Sequence, residues 1–189
     1  AQVGDLVLDL CAAPGGKATA LASRGARVIA GDQRRSRVGL VVANKERLGL
    51  DDLHVFQGDA NSPPFAPAAF DAVLVDAPCS GLGALRRRPD ARWRITAGDL
   101  DELALLQASL LAAAAPLVKP GGTLVYSVCT LTRAESTAVV TETSSVLGEL
   151  GFTASDAPPG AWEQFGSDTN VLVPGPEADG MALARWVRT

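Results

Sequence analysis

The sequence predicts an α/β domain: an open, doubly wound, mostly parallel sheet of seven strands that ends in an antiparallel hairpin. Three observations carry that expectation. Short β-rich apolar runs alternate with stretches of helical periodicity along most of the chain. Most of those runs are continuously apolar, as strands are when helices cover both faces of a parallel sheet. The last two strand-like runs follow each other with only a turn-rich segment between them, which breaks the alternation and suits a hairpin.

In chain order, LVLDL (6–10), RVIAG (27–31), LHVFQ (53–57), FDAVLVDA (70–77) and TLVYSV (123–128) are the parallel strand candidates. NVLV (170–173) and MALARWV (181–187), joined by PGPEADG, make the hairpin. Helices are expected at 16–23, 34–48, 100–117 and 133–149. The third, within DLDELALLQASLLAAAAPL, spaces its apolar residues at helical period and opens with acids that suit the positive end of the helix dipole. Pro120-Gly121-Gly122 should stop it and turn the chain into the next strand. SDAPPGAW (155–162) reads as an irregular surface loop, and no internal repeat or linker divides the chain.

With 189 residues, 47% hydrophobic and 20% charged, the chain suits one globular domain spanning residues 1–189. A net charge of −4 excludes a generic polyanion binder, so any nucleic-acid contact needs a local patch or a further region. No run reaches the ~20 apolar residues of a membrane span, and nothing resembles a signal peptide. Three widely spaced cysteines argue against a disulfide framework and for a reducing, cytoplasmic setting. The chain enters a strand-like run almost directly after Ala1, so the expectation is a fragment whose N-terminal part is absent.

Ligands of open α/β sheets bind at the carboxyl ends of the strands. Here those ends read Asp9-Leu10-Cys11, Asp32, Asp59, Asp76-Ala77-Pro78-Cys79 and Cys129, which gathers four carboxylates and three thiols on one edge. A single strand-end Asp commonly does no more than cap the next helix; the whole set points to a site. In the AAPGGK turn, Gly15 and Gly16 permit unusual backbone angles and close approach of a ligand. The turn is neither a P-loop, which needs Gly at 11 and Ser or Thr at 18, nor a GxGxxG dinucleotide turn. Asp32, 17 residues after Gly15, stands about where a nucleotide-binding sheet places its ribose-binding carboxylate. Asp59 is placed to accept from an adenine amino group. Acids around such a turn repel a diphosphate and suit a neutral-to-cationic adenosine ligand such as S-adenosylmethionine.

Residues ending adjacent strands, roughly 4.8 Å apart, can face one pocket. If the fourth and fifth strands are neighbours, Cys79 and Cys129 converge. A thiolate is a strong nucleophile for an electron-poor carbon, and a second sulfur can move a proton, a pair that suits methylation of a pyrimidine at C5. Buried cysteines also serve as small hydrophobes, a role that fits Cys11 best. A zinc site from the three cysteines and His54 lacks CxxC or HxxxH pairing, so no metal is expected. A Cys79–Cys129 disulfide would need oxidising surroundings.

On VLDLCAAPGGK, DAPCSGLGALRRRPD, YSVCTLTRAES and PGPEADGMALARW, the sequence resembles the RNA cytosine-5 methyltransferases of the NOL/NOP/Sun family, and within it the bacterial Sun (Fmu) branch. The resemblance covers nearly the whole chain. It implies a Rossmann-like S-adenosylmethionine-dependent methyltransferase fold acting on RNA, 16S ribosomal RNA above all. It also implies that Cys11, Ala12, Ala13, Pro14, Gly15, Gly16 and Lys17, with Asp32, Asp59 and Asp76, hold the cofactor. By the same resemblance Cys129 is the nucleophile, Cys79 assists release, and Asp76 also hydrogen-bonds the target base. Lys17 reads equally as a helix N-terminal surface lysine. The family usually carries Thr before the nucleophile, where this chain has Val128, and its N-terminal RNA-binding region and linking subdomain are missing here.

RRRPDARWR supplies the one basic patch: Arg86, Arg87, Arg88, Arg92 and Arg94 around Trp93, able to grip phosphates and stack on a base, or simply to form a solvated loop. Alternatives left open are a transfer-RNA substrate, a DNA cytosine-5 methyltransferase attacking with Cys79, and a catalytically silent RNA- or protein-binding module of the same fold.

Overall fold

In the computed structural model, which describes residues 1–189, all seven expected strands enter one mixed sheet. β1 (Leu6–Asp9), β2 (Arg27–Asp32), β3 (Leu53–Gln57), β4 (Phe70–Asp76) and β5 (Val118–Val128) run parallel. Two short strands, β6 (Phe152–Ala154) and β7 (Glu163–Gln164), join the hairpin of β8 (Asn170–Leu172) and β9 (Met181–Arg188) to make nine. The order is β3-β2-β1-β4-β5-β9-β8-β7, with β6 paired to β9. β9 runs antiparallel to β5 from Thr123↔Val187 to Val128↔Ala182 and so shields the edge of the parallel block. The chain winds outward in opposite directions from β1 and β4, and the crevice between such strands is where open sheets hold their ligands.

The strands are apolar on both faces because each face is covered. Val7, Val28, Ala30 and Leu53 pack with Ala18, Ala22 and Val41 under α1 (Gly16–Ala22) and α2 (Arg35–Leu48). Leu8, Val73, Val75 and Leu124 turn the other way, onto Leu110, Leu111 and Ala114 of α4 (Ala97–Ala114) and Val139 and Leu147 of α5 (Val139–Glu149). The first core is built mainly from alanines, and small side chains let α1 and the turn before it lie close on the sheet.

α4 departs from its expected limits at both ends, each time for a local reason. It starts at Ala97 because Thr96 and Asp99 close a capping box, with the Thr96 N–H donating to Asp99 Oδ2 at 2.8 Å. It ends at Ala114, where Pro116, which lacks an N–H, tightens the chain into a 3₁₀ turn, Ala115–Leu117. Pro120-Gly121-Gly122 therefore does not stop the helix. It lies within β5, where the pairing jumps from Phe70↔Val118 to Ala72↔Thr123. Contrary to the sequence reading, Ala97–Leu117 is long and apolar enough to cross a membrane by length and composition, at a hydropathy of 1.4. In the fold it packs on β4, β5 and α5 with Leu110, Leu111 and Ala114 interior, as a core helix does. A further short helix, α3 (Ala91–Arg94), forms within the basic segment.

One close approach ties that segment to the sheet. The Gly83 N–H donates to the Cys129 carbonyl at 2.9 Å, and the Gly180 N–H donates to the Gly83 carbonyl at 2.8 Å. A Cβ on Gly83 would collide with the Gly180 carbonyl and come within 3.0 Å of the Cys129 oxygen. Gly83→Ala is expected to destabilise the fold by about 2 kcal/mol or more, read as a lowered Tm by calorimetry; an unchanged Tm would mean that the backbone here yields freely.

Candidate active site

The turn after β1 is stitched to both neighbouring strands: Leu10 N–H donates to the Leu74 carbonyl at 3.1 Å, and Ala12 N–H to the Gly31 carbonyl at 2.8 Å. Gly15, buried at the start of α1, has φ 109°, and a Cβ there would press on Val41 Cγ1 at 3.3 Å. The turn therefore needs glycine for conformation and for its packing against α2. From α2, Arg37 Nη2 donates to the Ala13 carbonyl at 2.6 Å while its Nε pairs with Asp32 Oδ2 at 3.1 Å. Asn44 donates to the Pro14 carbonyl at 2.9 Å. Gly16 is exposed, and Lys17 reaches across the crevice to Asp76 Oδ2 at 2.7 Å.

The acids stand where the strand ends put them, in different states. Asp32 is nearly buried, and its second oxygen accepts from Arg34 N–H at 3.0 Å. Asp59 is exposed and accepts from Asn61 N–H at 2.9 Å. Asp76 also accepts from the Ser127 hydroxyl at 3.0 Å. Asp9 is fully buried, and neither of its carboxylate oxygens has a hydrogen-bond partner. Burial, then the nearby Asp76 charge, pushes its pKa up to about 7, with Lys17 pulling the other way. Cys11 lies between these acids, and burial followed by the Asp9 and Asp32 charges raises its thiol to about 12, so it stays protonated.

β4 and β5 are neighbours, registered Asp76↔Ser127, and the turns beyond them bring Cys79 Sγ and Cys129 Sγ to 3.2 Å. Both thiols are free and half-buried. The hydrogen bond from Cys79 lowers the Cys129 pKa to about 7, against burial and the Asp76 charge and with help from Lys17. The same bond, with burial, holds the Cys79 thiol far above its ordinary range. The two shifts run in opposite directions, so the thiolate is favoured on Cys129 and disfavoured on Cys79. An open cavity of about 450 Å³, lined by Cys79, Arg94, Ile95, Asp99, Glu102, Leu103 and Leu106, borders the pair on the α3–α4 side.

The basic segment is only partly free. Arg86 lies 3.8 Å from Asp179, and Arg87 is bonded to the same carboxylate through Nε at 2.6 Å, which fixes the segment to the loop before β9. Arg94 pairs with Asp90 at 2.7 Å, while Arg88 is exposed and unpaired. Trp93 is 79% exposed, with the Arg92 guanidinium 4.7 Å from its ring centroid.

Of the residues singled out from the sequence, Lys17 meets Asp76 and Cys79 meets Cys129, while Asp59 bonds only within its own turn and Arg94 alone of the basic segment lines the cavity beside Cys79. Arg37, Glu135 and Gln107 were missed. Arg37 carries no signal beyond its place in the first turn of α2. Glu135 was legible as an acid four residues before Val139, on the face that α5 buries. Val128, the departure from the usual Thr, is fully buried in the main core opposite Ala182, where a methyl serves packing and a hydroxyl would lack an evident partner.

A parallel sheet whose order reverses between β1 and β4, with an antiparallel β9 beside β5, defines a Rossmann-like methyltransferase fold. The chain belongs to the 16S rRNA methyltransferase RsmB/F family, whose model matches residues 1–186. It is 44% identical over 144 residues to a probable ribosomal RNA small subunit methyltransferase B of Synechocystis, covering 74% of this chain and 32% of that protein. It is 46% identical over 134 residues to ribosomal RNA small subunit methyltransferase B of Enterobacter, covering 69% and 31%. The chain thus spans about a third of the length of these curated relatives. Among solved structures, PH0851 superposes with a TM-score of 0.92 at 30% identity, over 99% of this chain and 43% of that one. NSun6 from Pyrococcus horikoshii, solved with the S-adenosylmethionine analogue SFG, gives 0.81 at 28% identity, over 97% and 48%. The family is S-adenosylmethionine-dependent.

The unpaired Asp9 carboxylate has a consequence for stability. Its folded pKa of about 7 exceeds the ordinary 3.8, so the folded state holds this proton more tightly than the unfolded chain does. The stability it contributes is present below about pH 4 and lost as pH rises through about 7. Asp9→Asn is expected to raise Tm at pH 8, with the gain vanishing below about pH 4. Equal Tm of mutant and parent at pH 8 would show that the carboxylate is not destabilised.

Proposed function

We propose that this domain transfers a methyl group from S-adenosylmethionine to C5 of a cytosine in RNA, with 16S ribosomal RNA as the substrate, through a covalent adduct between Cys129 and C6 of the base. The observation that carries the reading is the thiol pair at 3.2 Å, with the thiolate favoured on Cys129 over Cys79. The RsmB/F family membership supports ribosomal RNA. The Cys79-first chemistry of DNA enzymes is disfavoured, because burial and the neighbouring sulfur raise the Cys79 thiol while the Cys129 thiol is lowered.

The residues present fit the cofactor. Gly16, at the head of α1, is exposed with nothing within 4 Å of where a Cβ would stand, and the acids of the crevice suit a sulfonium and a ribose rather than a diphosphate. Ala12, Ala13, Pro14, Gly15, Gly16 and Lys17 would hold it from the turn, with Cys11 behind, and Asp32, Asp59 and Asp76 from the strand ends. When bound it supplies an electrophilic methyl group.

The Cys129 thiolate adds to C6 of the ring, which places electron density on C5. Asp76, half-buried beside the pair, accepts a hydrogen bond from the base and holds the ring. Once the Cys129 sulfur is bonded to carbon it no longer accepts from Cys79. Cys79, after giving its own proton to solvent, takes the C5 proton; the C6–sulfur bond then breaks and Cys129 leaves as a thiolate. Arg88, Arg92 and Trp93 contact the RNA from the rim, with Arg86, Arg87 and Arg94 stiffening the segment. A net charge of −4 gives the domain little general attraction for a polyanion, so these rim residues carry the RNA contact it makes.

Asp32→Ala should weaken S-adenosylmethionine binding at least tenfold by calorimetry, since a buried acceptor is lost and its donors are left unpaired. Equal affinity would remove Asp32 from the site.

In the full-length protein, Cys129→Ala should abolish methylation and any covalent RNA adduct. Cys79→Ala should attack and methylate but fail to release, accumulating an RNA complex that survives a denaturing gel. Adduct in Cys129→Ala alone would move the nucleophile to Cys79, and intact methylation in both variants would end the thiol mechanism.

A further inference from the structure

Behind the thiol pair lies a buried carboxylate that the proposed chemistry does not use. Glu135 sits in a single π-helical turn, Ala134–Ala138, between the Cys129 turn and α5. It is wholly inaccessible, and no lysine or arginine pairs with it. A buried carboxylate is costly without a cation unless hydrogen bonds replace its water. Here Oε1 accepts from Ser80 N–H at 2.8 Å and from the Gln107 amide at 3.1 Å. Oε2 accepts from the Ser80 hydroxyl at 2.5 Å and the Thr132 hydroxyl at 3.0 Å.

The donors have a pattern. Ser80 follows Cys79, and Gln107 also donates to the carbonyl of Pro78, which precedes it, at 2.8 Å. Thr130 follows Cys129; its hydroxyl lies 3.1 Å from that of Ser80 and accepts from Thr132 N–H at 3.3 Å. Tyr126, three residues before Cys129, places its hydroxyl 2.7 Å from the Glu135 backbone carbonyl. Both cysteine turns are therefore tied to Glu135, the Cys79 turn directly through Ser80 and by way of Gln107, and the Cys129 turn through the side chains of Thr132 and Tyr126. π-turns inside helices are frequent at functional sites, and this one turns an acid into the core where a continuous α-helix would aim it differently.

We propose that Glu135 is a positioning residue for the thiol pair: its carboxylate fixes the turn after β4 to the turn after β5 and so sets the approach of the Cys79 sulfur to the Cys129 sulfur. This rests on the reading that the two thiols carry the chemistry. Removing the carboxylate leaves the Ser80 N–H without its acceptor, takes an acceptor from Gln107 and from the Ser80 and Thr132 hydroxyls, and frees the turns to separate. Glutamine can replace it. Its oxygen accepts from the same two N–H groups and its amide donates to the Ser80 and Thr132 hydroxyls; the Ser80 hydroxyl redirects to Thr130 at 3.1 Å, and the half-buried Thr132 hydroxyl, which also accepts from Thr130, turns to solvent.

The test is site-resolved labelling of Cys129 by iodoacetamide across pH, read by mass spectrometry on full-length protein whose fold is checked by circular dichroism. Cys79, Asp76 and Lys17, the titratable groups that act on Cys129, are kept in every variant. Glu135→Ala should slow labelling at pH 7 about tenfold and move its midpoint toward the ordinary thiol value of about 8.5. Glu135→Gln should stay within about twofold of the parent, and both should bind S-adenosylmethionine as the parent does. A parent-like profile in folded Glu135→Ala overturns the proposal, and so does an equal loss in Glu135→Gln, which would assign the effect to charge alone. Should Glu135→Ala not fold, Ser80→Ala, which removes the bridging hydroxyl, should show the same upward shift at smaller size; an unshifted profile overturns the proposal there too. Failure of the thiol reading shows separately, as absence of trapped RNA in Cys79→Ala.

Discussion

The site depends on the parallel register of β1, β4 and β5. Asp9 pairs with Leu74 and Asp76 with Ser127, so β4 and β5 each run past the end of β1 before they turn. That stagger puts the glycine turn on one side of a crevice and two cysteine turns on the other. A slip of one residue would reverse every side chain between the two faces, which both cores forbid. Burial of Leu8, Val73, Val75 and Leu124 on one side, and of Val7 and Val28 on the other, thereby fixes where the two sulfurs meet.

The same edge is electrostatically overdrawn. Asp9, Asp32 and Asp76 converge there, and the cations that answer them are Lys17 on Asp76 and Arg37 on Asp32. Asp9 is left buried without a partner, in a stretch where the rest of the fold is well satisfied. Local consistency is broken where a ligand has to be recognised, which is where proteins tolerate such cost. Cys11 and Cys129 differ widely because burial, reinforced by the acids, governs the first, and the hydrogen bond with Cys79 governs the second. Cys11 faces acids with no proton donor at its sulfur, whereas Cys129 has both the Cys79 thiol and Lys17 to hold its charge.

The parallel strands were legible because burial on two faces writes itself as uninterrupted apolar runs, and the turns because Gly and Pro punctuate them. The acids and thiols were legible because they interrupt those runs at strand ends. β6 and β7 were not: at three and two residues, they have no periodicity to read and exist only because β8 and β9 give them partners. The end of α4 was misread because two proline signals compete, and the earlier one, Pro116, acts first. Arg37 and Gln107 were invisible for another reason. Each acts by reaching a main-chain carbonyl far away in sequence, Ala13 and Pro78 respectively, and only the fold shows which carbonyl lies within reach.

The C-terminal hairpin belongs to the site as much as to the sheet. β9 lies along β5 up to Val128↔Ala182, one residue short of Cys129, and Gly180 then bonds to Gly83, which bonds to Cys129. Asp179, next in line, holds Arg86 and Arg87. A chain of short contacts thus runs from Cys129 through two glycines to the basic segment. Both glycines must be small for the backbones to meet: a Cβ on Gly180 would press on Leu131 and on Pro174, each at 3.1 Å. The basic segment is therefore positioned by the same backbone that carries Cys129, so a displacement of one moves the other. The arginines and the thiol pair are in this way coupled through close backbone packing and the Asp179 ion pairs.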